Sequence, residues 1–155
     1  MDVAEARTWV DAWGITASFP HARGGMVRGY ADAKNWSICV FVGDDEAAPE
    51  RRHLAYMIAH EAAHVVSGHT LDNLEPGGAE QEAIAASCGL RFAAIIGDKL
   101  PIGRAAWEGE LVRDGGGREA VKVGREIANL LLSCRLSNLR SVVGACAAGV
   151  TRPLR

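Results

Sequence analysis

The chain contains one short segment whose residue types can perform metal-dependent chemistry. Residues 60 to 64 read His60-Glu61-Ala62-Ala63-His64. On an α-helix, residues four positions apart lie on the same face, so both imidazoles point toward a single ion. Glu61 lies beside that face and can reach a water at the open coordination position of the metal. The pattern predicts a zinc site with His60 and His64 as ligands and Glu61 as the general base of a hydrolase.

Apolar residues on both sides of this motif indicate that its helix is at least partly buried. The predicted helix runs from Glu50 to Ser67 and carries Leu54, Met57, Ile58, Val65 and Val66. Polar groups that are buried need partners, which a metal and its water would supply. The alternative is a solvent-facing helix in which His and Glu make only i,i+3 and i,i+4 contacts. We favour the metal site because of the apolar flanks.

A catalytic zinc site usually has three protein ligands, so a third ligand is expected downstream. Gly68 and the turn-forming residues after it end the first helix, and a second helix begins near Ala79. A carboxylate in the first turn of an antiparallel helix would lie near the two imidazoles. We favour Glu82, because it aligns at i+4 with the small residue Ala86. Glu80 is the alternative, and both glutamates would also complement the helix dipole without any metal.

Further features around the motif follow a fixed order along the first hundred residues. Arg51-Arg52 precedes the motif, Gly68-His69 ends its helix, and Glu82-Ala83 begins the next helix. In this order and spacing the chain resembles the ImmA/IrrE family of zinc metallopeptidases. The resemblance implies a minimal gluzincin-like fold and, as partner, a protein substrate such as a helix-turn-helix repressor from a phage, mobile element or stress response.

The resemblance also implies roles for individual residues. It makes His60, His64 and Glu82 the ligands of Zn²⁺ and Glu61 the general base. From its position after the helix-breaking Gly68, we predict that His69 turns back toward the site, where it hydrogen-bonds to a metal ligand or serves as an oxyanion donor. The alternative for His69 is an exposed imidazole at a capped helix end.

Two other functions stay open at this point. The chain can be a non-catalytic zinc-bearing interaction module, an anti-repressor that binds through its C-terminal helices. It can also be a general gluzincin peptidase that accepts many sequences. Replacing Glu61 separates the first alternative from an enzyme, and cleavage of unstructured proteins identifies the second.

The remaining patterns predict an α+β fold, a mostly helical single domain with a small antiparallel sheet packed on the motif helix. Met1 to Gly14 is predicted as an amphipathic helix with Trp9 and Trp13 in the core. Met26 to Ala31 alternates and Trp36 to Val42 is a strong β run, with a hairpin at Lys34-Asn35 between them. An edge of this sheet can bind an extended substrate by strand addition.

Length and composition fit one domain over residues 1 to 155, with a catalytic part of about 1 to 100 and C-terminal helices in 101 to 155. The predicted C-terminal helices are Ala105 to Val112, Glu119 to Leu136 and Leu139 to Ala148. The net charge of −2 gives no large field for nucleic acid or an anionic membrane, so direct binding to either is not expected. The last thirty-five residues are locally basic, and these charges form either a solvated face or a docking surface. The basic residues are Lys122, Arg125, Arg135, Arg140, Arg152 and Arg155.

The cysteines and the N-terminus indicate a cytoplasmic protein. Four cysteines are widely spaced without a C-x-x-C pair, which predicts buried thiols rather than metal ligands. These are Cys39, Cys88, Cys134 and Cys146. The N-terminal segment is predicted to be a helix rather than a signal peptide, and the apolar stretch Val142 to Val150 is too short to span a bilayer.

Overall fold

A computed structural model of the protein describes residues 1–21, 29–42, 53–69, 78–98 and 117–133. Most of these residues are helical and the rest include a small sheet, which confirms the predicted α+β class. None of the described helices combines the length and apolar character needed to cross a membrane. In chain order the elements are α1 (Val3–Ala12), β1 (Thr16–Ser18), β2 (Gly29–Asp32), β3 (Ser37–Val40), α2 (Leu54–Val66), α3 (Gly78–Ile96) and α4 (Gly117–Ser133).

Helix α2, which carries the motif, lies at the centre of the described structure. Every residue from Leu54 to Val66 is buried, including His60, Glu61 and His64 of the motif, and the other residues of the helix are apolar or aromatic. It contacts β2, β3 and all three other helices. Fully buried alanines let these neighbours approach closely: Ala55, Ala59, Ala62 and Ala63. The predicted motif helix is confirmed from Leu54 onward, and residues 50–52 of that prediction lie outside the described residues.

The sheet has the order β1-β3-β2 and is mixed rather than wholly antiparallel. Strands β2 and β3 form the predicted antiparallel pair, with Tyr30 opposite Cys39. Strand β1 joins the other side of β3 in parallel, with Ala17 opposite Ile38. The chain reverses at β2 and again after it, so β3 runs in the same direction as β1. Strand β1 was not predicted, because its three residues are too few to show an alternating pattern.

The turn between β2 and β3 is held by the side chain of Asp32. Its Oδ1 accepts hydrogen bonds from the backbone N–H groups of Lys34 (3.1 Å) and Asn35 (3.2 Å), and Asn35 Nδ2 donates to Oδ2 at 2.6 Å. These bonds, led by that of the Asn35 side chain, hold the pKa of Asp32 below its usual range. Trp36 follows in the left-handed region at φ 49°. The predicted hairpin at Lys34-Asn35 is confirmed, because an Asx turn closes it.

Two tryptophans connect the outer helices: Trp9 within α1 and Trp13 at its C-cap. Trp13 is fully buried and its Nε1 donates to the backbone oxygen of Leu131 in α4 at 2.9 Å. The rings of Trp9 and Trp13 both meet Phe92 of α3 edge to face, at 5.2 and 5.4 Å between centroids. Trp13 is therefore a core residue as predicted, whereas Trp9 is half-buried at the margin of the core.

The C-terminal predictions are covered in part by the described residues. Helix α4 confirms the helix expected at Glu119 to Leu136 as far as Ser133, and residues 134–136 of that prediction lie outside the described residues. Its residues Lys122 and Arg125 are exposed. Cys39 and Cys88 are buried free thiols, as expected. The other C-terminal predictions lie outside the described residues, namely helices Ala105 to Val112 and Leu139 to Ala148, Cys134, Cys146, Arg135, Arg140, Arg152 and Arg155.

Candidate metal centre

His60 and His64 lie one above the other on consecutive turns of α2. Their ring centroids are 5.1 Å apart, and the two residues are only 8% and 7% exposed. Because α2 is packed on several sides, the rings have little freedom to reorient. The helical spacing read from the sequence therefore produces a rigid pair of imidazoles.

Glu82 completes a cluster with the two histidines from the facing helix α3. Its Oε1 lies 3.1 Å from Nε2 of His64, and its Oε2 lies 3.4 Å from Nε2 of His60. About half of the Glu82 side chain is exposed (53%), so the cluster opens to solvent on this side. Among the described residues Glu80, the alternative ligand, is not part of this cluster. The structure thus places the favoured ligand, Glu82, beside both histidines. Glu80, in the same helical turn, is exposed.

The spacing of these atoms fits a divalent metal ion. One donor atom from each of His60, His64 and Glu82 lies within 4.8 Å of the other two. Bonds of about 2.0–2.1 Å in a tetrahedron place ligand atoms about 3.4 Å apart. The separations of 3.1 Å from His64 to Oε1 of Glu82 and 3.4 Å from His60 to Oε2 are close to this value. The three side chains can therefore hold a metal ion, and two histidines with one glutamate are a donor set known from catalytic zinc.

The electrostatics of the cluster favour the ligand form of Glu82. Hydrogen bonds with His60 and His64 hold the pKa of the Glu82 carboxyl well below its usual range. The carboxylate is therefore ionised at neutral pH. Burial instead raises the pKa of Glu61, against a lowering effect of the two imidazoles. Burial and hydrogen bonding thus shift the pKa values of these two carboxyl groups in opposite directions.

Glu61 lies between α2 and the edge strand β2. The residue is 4% exposed, and its carboxylate is directed at Gly29. A Cβ built on Gly29 would lie 3.0 Å from Oε1 and 3.3 Å from Cγ of Glu61. The predicted base can therefore occupy this position because residue 29 is a glycine, which has no side chain to displace it.

The second nitrogen of each histidine has its own partner. The hydroxyl of Tyr56 lies 3.2 Å from Nδ1 of His60, and Nδ1 of His69 lies 3.0 Å from Nδ1 of His64. Both contacts use the ring nitrogen that does not face Glu82. They leave Nε2 of each ring available for a metal, which is the usual arrangement around histidine ligands.

His69 reaches His64 because α2 ends in a tight turn at Gly68. Gly68 has φ +70°, and the N–H groups of Gly68 and His69 donate to the carbonyls of Val65 (3.1 Å) and His64 (2.9 Å). This is a Schellman motif, which turns the next residue back over the helix. Burial, with a smaller effect of His64, lowers the pKa of His69 to about 4. His69 is therefore neutral at pH 7 and can accept a hydrogen bond from His64.

Comparison of the chain with models of protein families, with curated proteins and with solved structures finds no match. The resemblance to the ImmA/IrrE family rests on the motif residues alone and stays a prediction.

Two contributions to the centre were not predicted from the sequence. Gly29 comes from a strand, and nothing in its neighbourhood indicates that it faces Glu61. The contact between Tyr56 and His60 has a local signal, because an i,i+4 pair on a helix is adjacent. That spacing could have identified Tyr56 as an outer partner of His60.

Proposed function

We propose that the protein is a zinc-dependent metallopeptidase that cleaves a regulatory protein. The observation that carries this proposal is the convergence of His60, His64 and Glu82 on one point, with the buried Glu61 beside them. Structural zinc sites usually have four protein ligands, whereas catalytic sites have three and an open position. Three ligands among the described residues, with Glu82 half exposed, support the catalytic class.

The residues of the centre would have different roles in peptide hydrolysis. A zinc ion bound there would lower the pKa of a water and polarise the scissile carbonyl. Glu61 takes the proton of the attacking water and passes it to the leaving amine. Burial raises the pKa of Glu61 toward neutral pH, which suits a group that must both accept and return a proton. His69, on the outer nitrogen of His64, fits a supporting role better than that of an oxyanion donor.

Strand β2 is a suitable place for an extended substrate. It is at the edge of the sheet, and among the described strands only β3 pairs with it. A peptide added to its outer side would gain main-chain hydrogen bonds next to Glu61. As substrate we propose a helix-turn-helix repressor, a class supported by the resemblance of the motif residues and not by the geometry.

The test compares wild type with Glu61→Gln. Both proteins are purified identically, their zinc content is measured, and each is incubated with repressors encoded near the gene. We expect one zinc per chain in both and a loss of cleavage of at least about a hundredfold in Glu61→Gln. Undiminished turnover would remove Glu61 from the mechanism. Absence of metal from wild type, even after zinc is supplied, would overturn the proposal.

Two further measurements, a repression assay and the cleavage of casein, separate the alternatives. A zinc-bearing anti-repressor that acts by binding predicts that Glu61→Gln relieves repression as well as wild type, whereas replacement of Arg135 and Arg140 abolishes the effect. A general peptidase predicts cleavage of an unstructured protein such as casein at a rate similar to that of the repressor.

A further inference from the structure

Tyr56 lies where it can set the orientation of His60. Its side chain is buried in α2, and its hydroxyl is 3.2 Å from Nδ1 of His60. A neutral imidazole that binds a metal through Nε2 carries its proton on Nδ1. That N–H would then donate to the Tyr56 oxygen, which fixes both the tautomer and the tilt of the ring.

The place of the Tyr56 ring is set in turn by Gly89 of α3. A Cβ on Gly89 would lie 2.7 and 2.8 Å from two ring carbons of Tyr56 and 2.8 Å from its backbone oxygen. Such distances are far below van der Waals contact, so no side chain fits at residue 89 with the ring where it is. The absence of a side chain at Gly89 therefore makes room for the ring that reaches His60.

We propose that Tyr56 is a positioning residue for His60 and that Gly89 is required for its placement. This inference rests on the proposed function, because it assumes that His60 binds a metal through Nε2. Helix α3 then contributes to the centre twice, through the Glu82 ligand and, further along the same helix, through the space beside Tyr56. Outer partners of histidine ligands change metal affinity without touching the metal.

The first test is Tyr56→Phe, which keeps the ring against Gly89 and removes only the hydroxyl. We expect zinc to bind about tenfold to a hundredfold more weakly, measured by competition with a chromophoric chelator. The visible absorption of the Co²⁺-loaded protein should also change, because it reports the geometry around the metal. Tyr30→Phe is the matched control, since Tyr30 is an exposed tyrosine (56%) in β2.

The outcomes of this test are distinct. Equal zinc affinity and an equal Co²⁺ spectrum in Tyr56→Phe and wild type would overturn the role of Tyr56 while leaving the metal site intact. A wild type that binds no zinc would overturn this inference together with the proposed function.

The second test compares Gly89→Ala with Gly124→Ala. Both glycines lie in tight helix contacts, and a Cβ on Gly124 would be 2.4 Å from the backbone oxygen of Ile84. Both variants should lose thermal stability. Gly89→Ala should weaken zinc binding at least as much as Tyr56→Phe and more than Gly124→Ala, which presses on α3 without contacting Tyr56. Unchanged zinc affinity in folded Gly89→Ala would refute the role of Gly89. Where an alanine variant does not fold, Tyr56→Phe still decides the role of Tyr56.

Discussion

Glu61 fills the space that a side chain on Gly29 would need, with its Oε1 3.0 Å from the position of that missing Cβ. This contact joins the predicted base on the motif helix to the edge strand on which a substrate would lie. The base and the strand are therefore held at a fixed separation.

Gly29→Ala should impair cleavage without removing the metal. The added methyl group would press on the Glu61 carboxylate and on the backbone oxygen of Cys39, 2.9 Å away. A displacement of the base by about 1 Å can cost about a hundredfold in rate. Activity and zinc content of the variant are measured together, with Thr8→Ala on the exposed side of α1 as control. Full activity of Gly29→Ala would contradict this account.

Glu82→Ala should lose zinc, whereas Glu80→Ala should retain it. Glu82 lies 3.1 and 3.4 Å from the two imidazoles, while the exposed Glu80 is outside the cluster. Elemental analysis of both variants and wild type, purified without added metal, measures the difference. Loss of zinc from Glu80→Ala alone would reverse the assignment.

His69→Ala should weaken zinc binding by about tenfold to a hundredfold, because His64 loses the partner of its Nδ1 at 3.0 Å. The affinity is measured by competition with a chelator. His21→Ala serves as control, since His21 is an exposed histidine at the sheet margin. Equal affinities in wild type and His69→Ala would show that the contact with His64 does not support the metal site.

Gly68→Ala should destabilise the protein by roughly 1–2 kcal/mol, because an L-residue in the left-handed region is strained. No atom of the described residues lies within 4 Å of the added Cβ, so the expected loss comes from the backbone strain. Gly97 is a close match, with φ +76° at the end of α3 and the same open surroundings. Denaturant unfolding should show a similar decrease in the free energy of unfolding for both alanine variants. Only Gly68→Ala should also weaken zinc binding, because it displaces His69. A drop in zinc affinity in Gly97→Ala of the same size would point to a general effect.

Cys88 should resist alkylation in the folded protein. Its side chain is fully buried on α3, and burial raises the pKa of its thiol far above the usual range. The thiolate, which is the reactive form, is therefore scarce at pH 8. Iodoacetamide treatment followed by peptide mass mapping should label Cys88 only after denaturation. Rapid labelling of the native protein would show that α3 opens at this position.

The sequence by itself determined the local part of the centre. The 3.6-residue period of a helix places His60 above His64 and puts Glu61 beside them, whatever surrounds the helix. The apolar flanks indicated that this helix is buried, and Asp32 to Asn35 specified their turn through contacts only a few residues apart. Such features are readable because the interacting groups are neighbours along the chain.

The tertiary structure decided the parts that join separate elements. The choice of Glu82 over Glu80 depends on how α3 docks against α2, and a rotation of α3 about its axis would reverse it. The same docking places Gly89 against Tyr56, while the packing of β2 on α2 places Gly29 against Glu61. Strand β1 pairs in parallel with β3, because β2 lies between them in the chain and runs in the opposite direction. These contacts join residues far apart in sequence, and no local spacing encodes them.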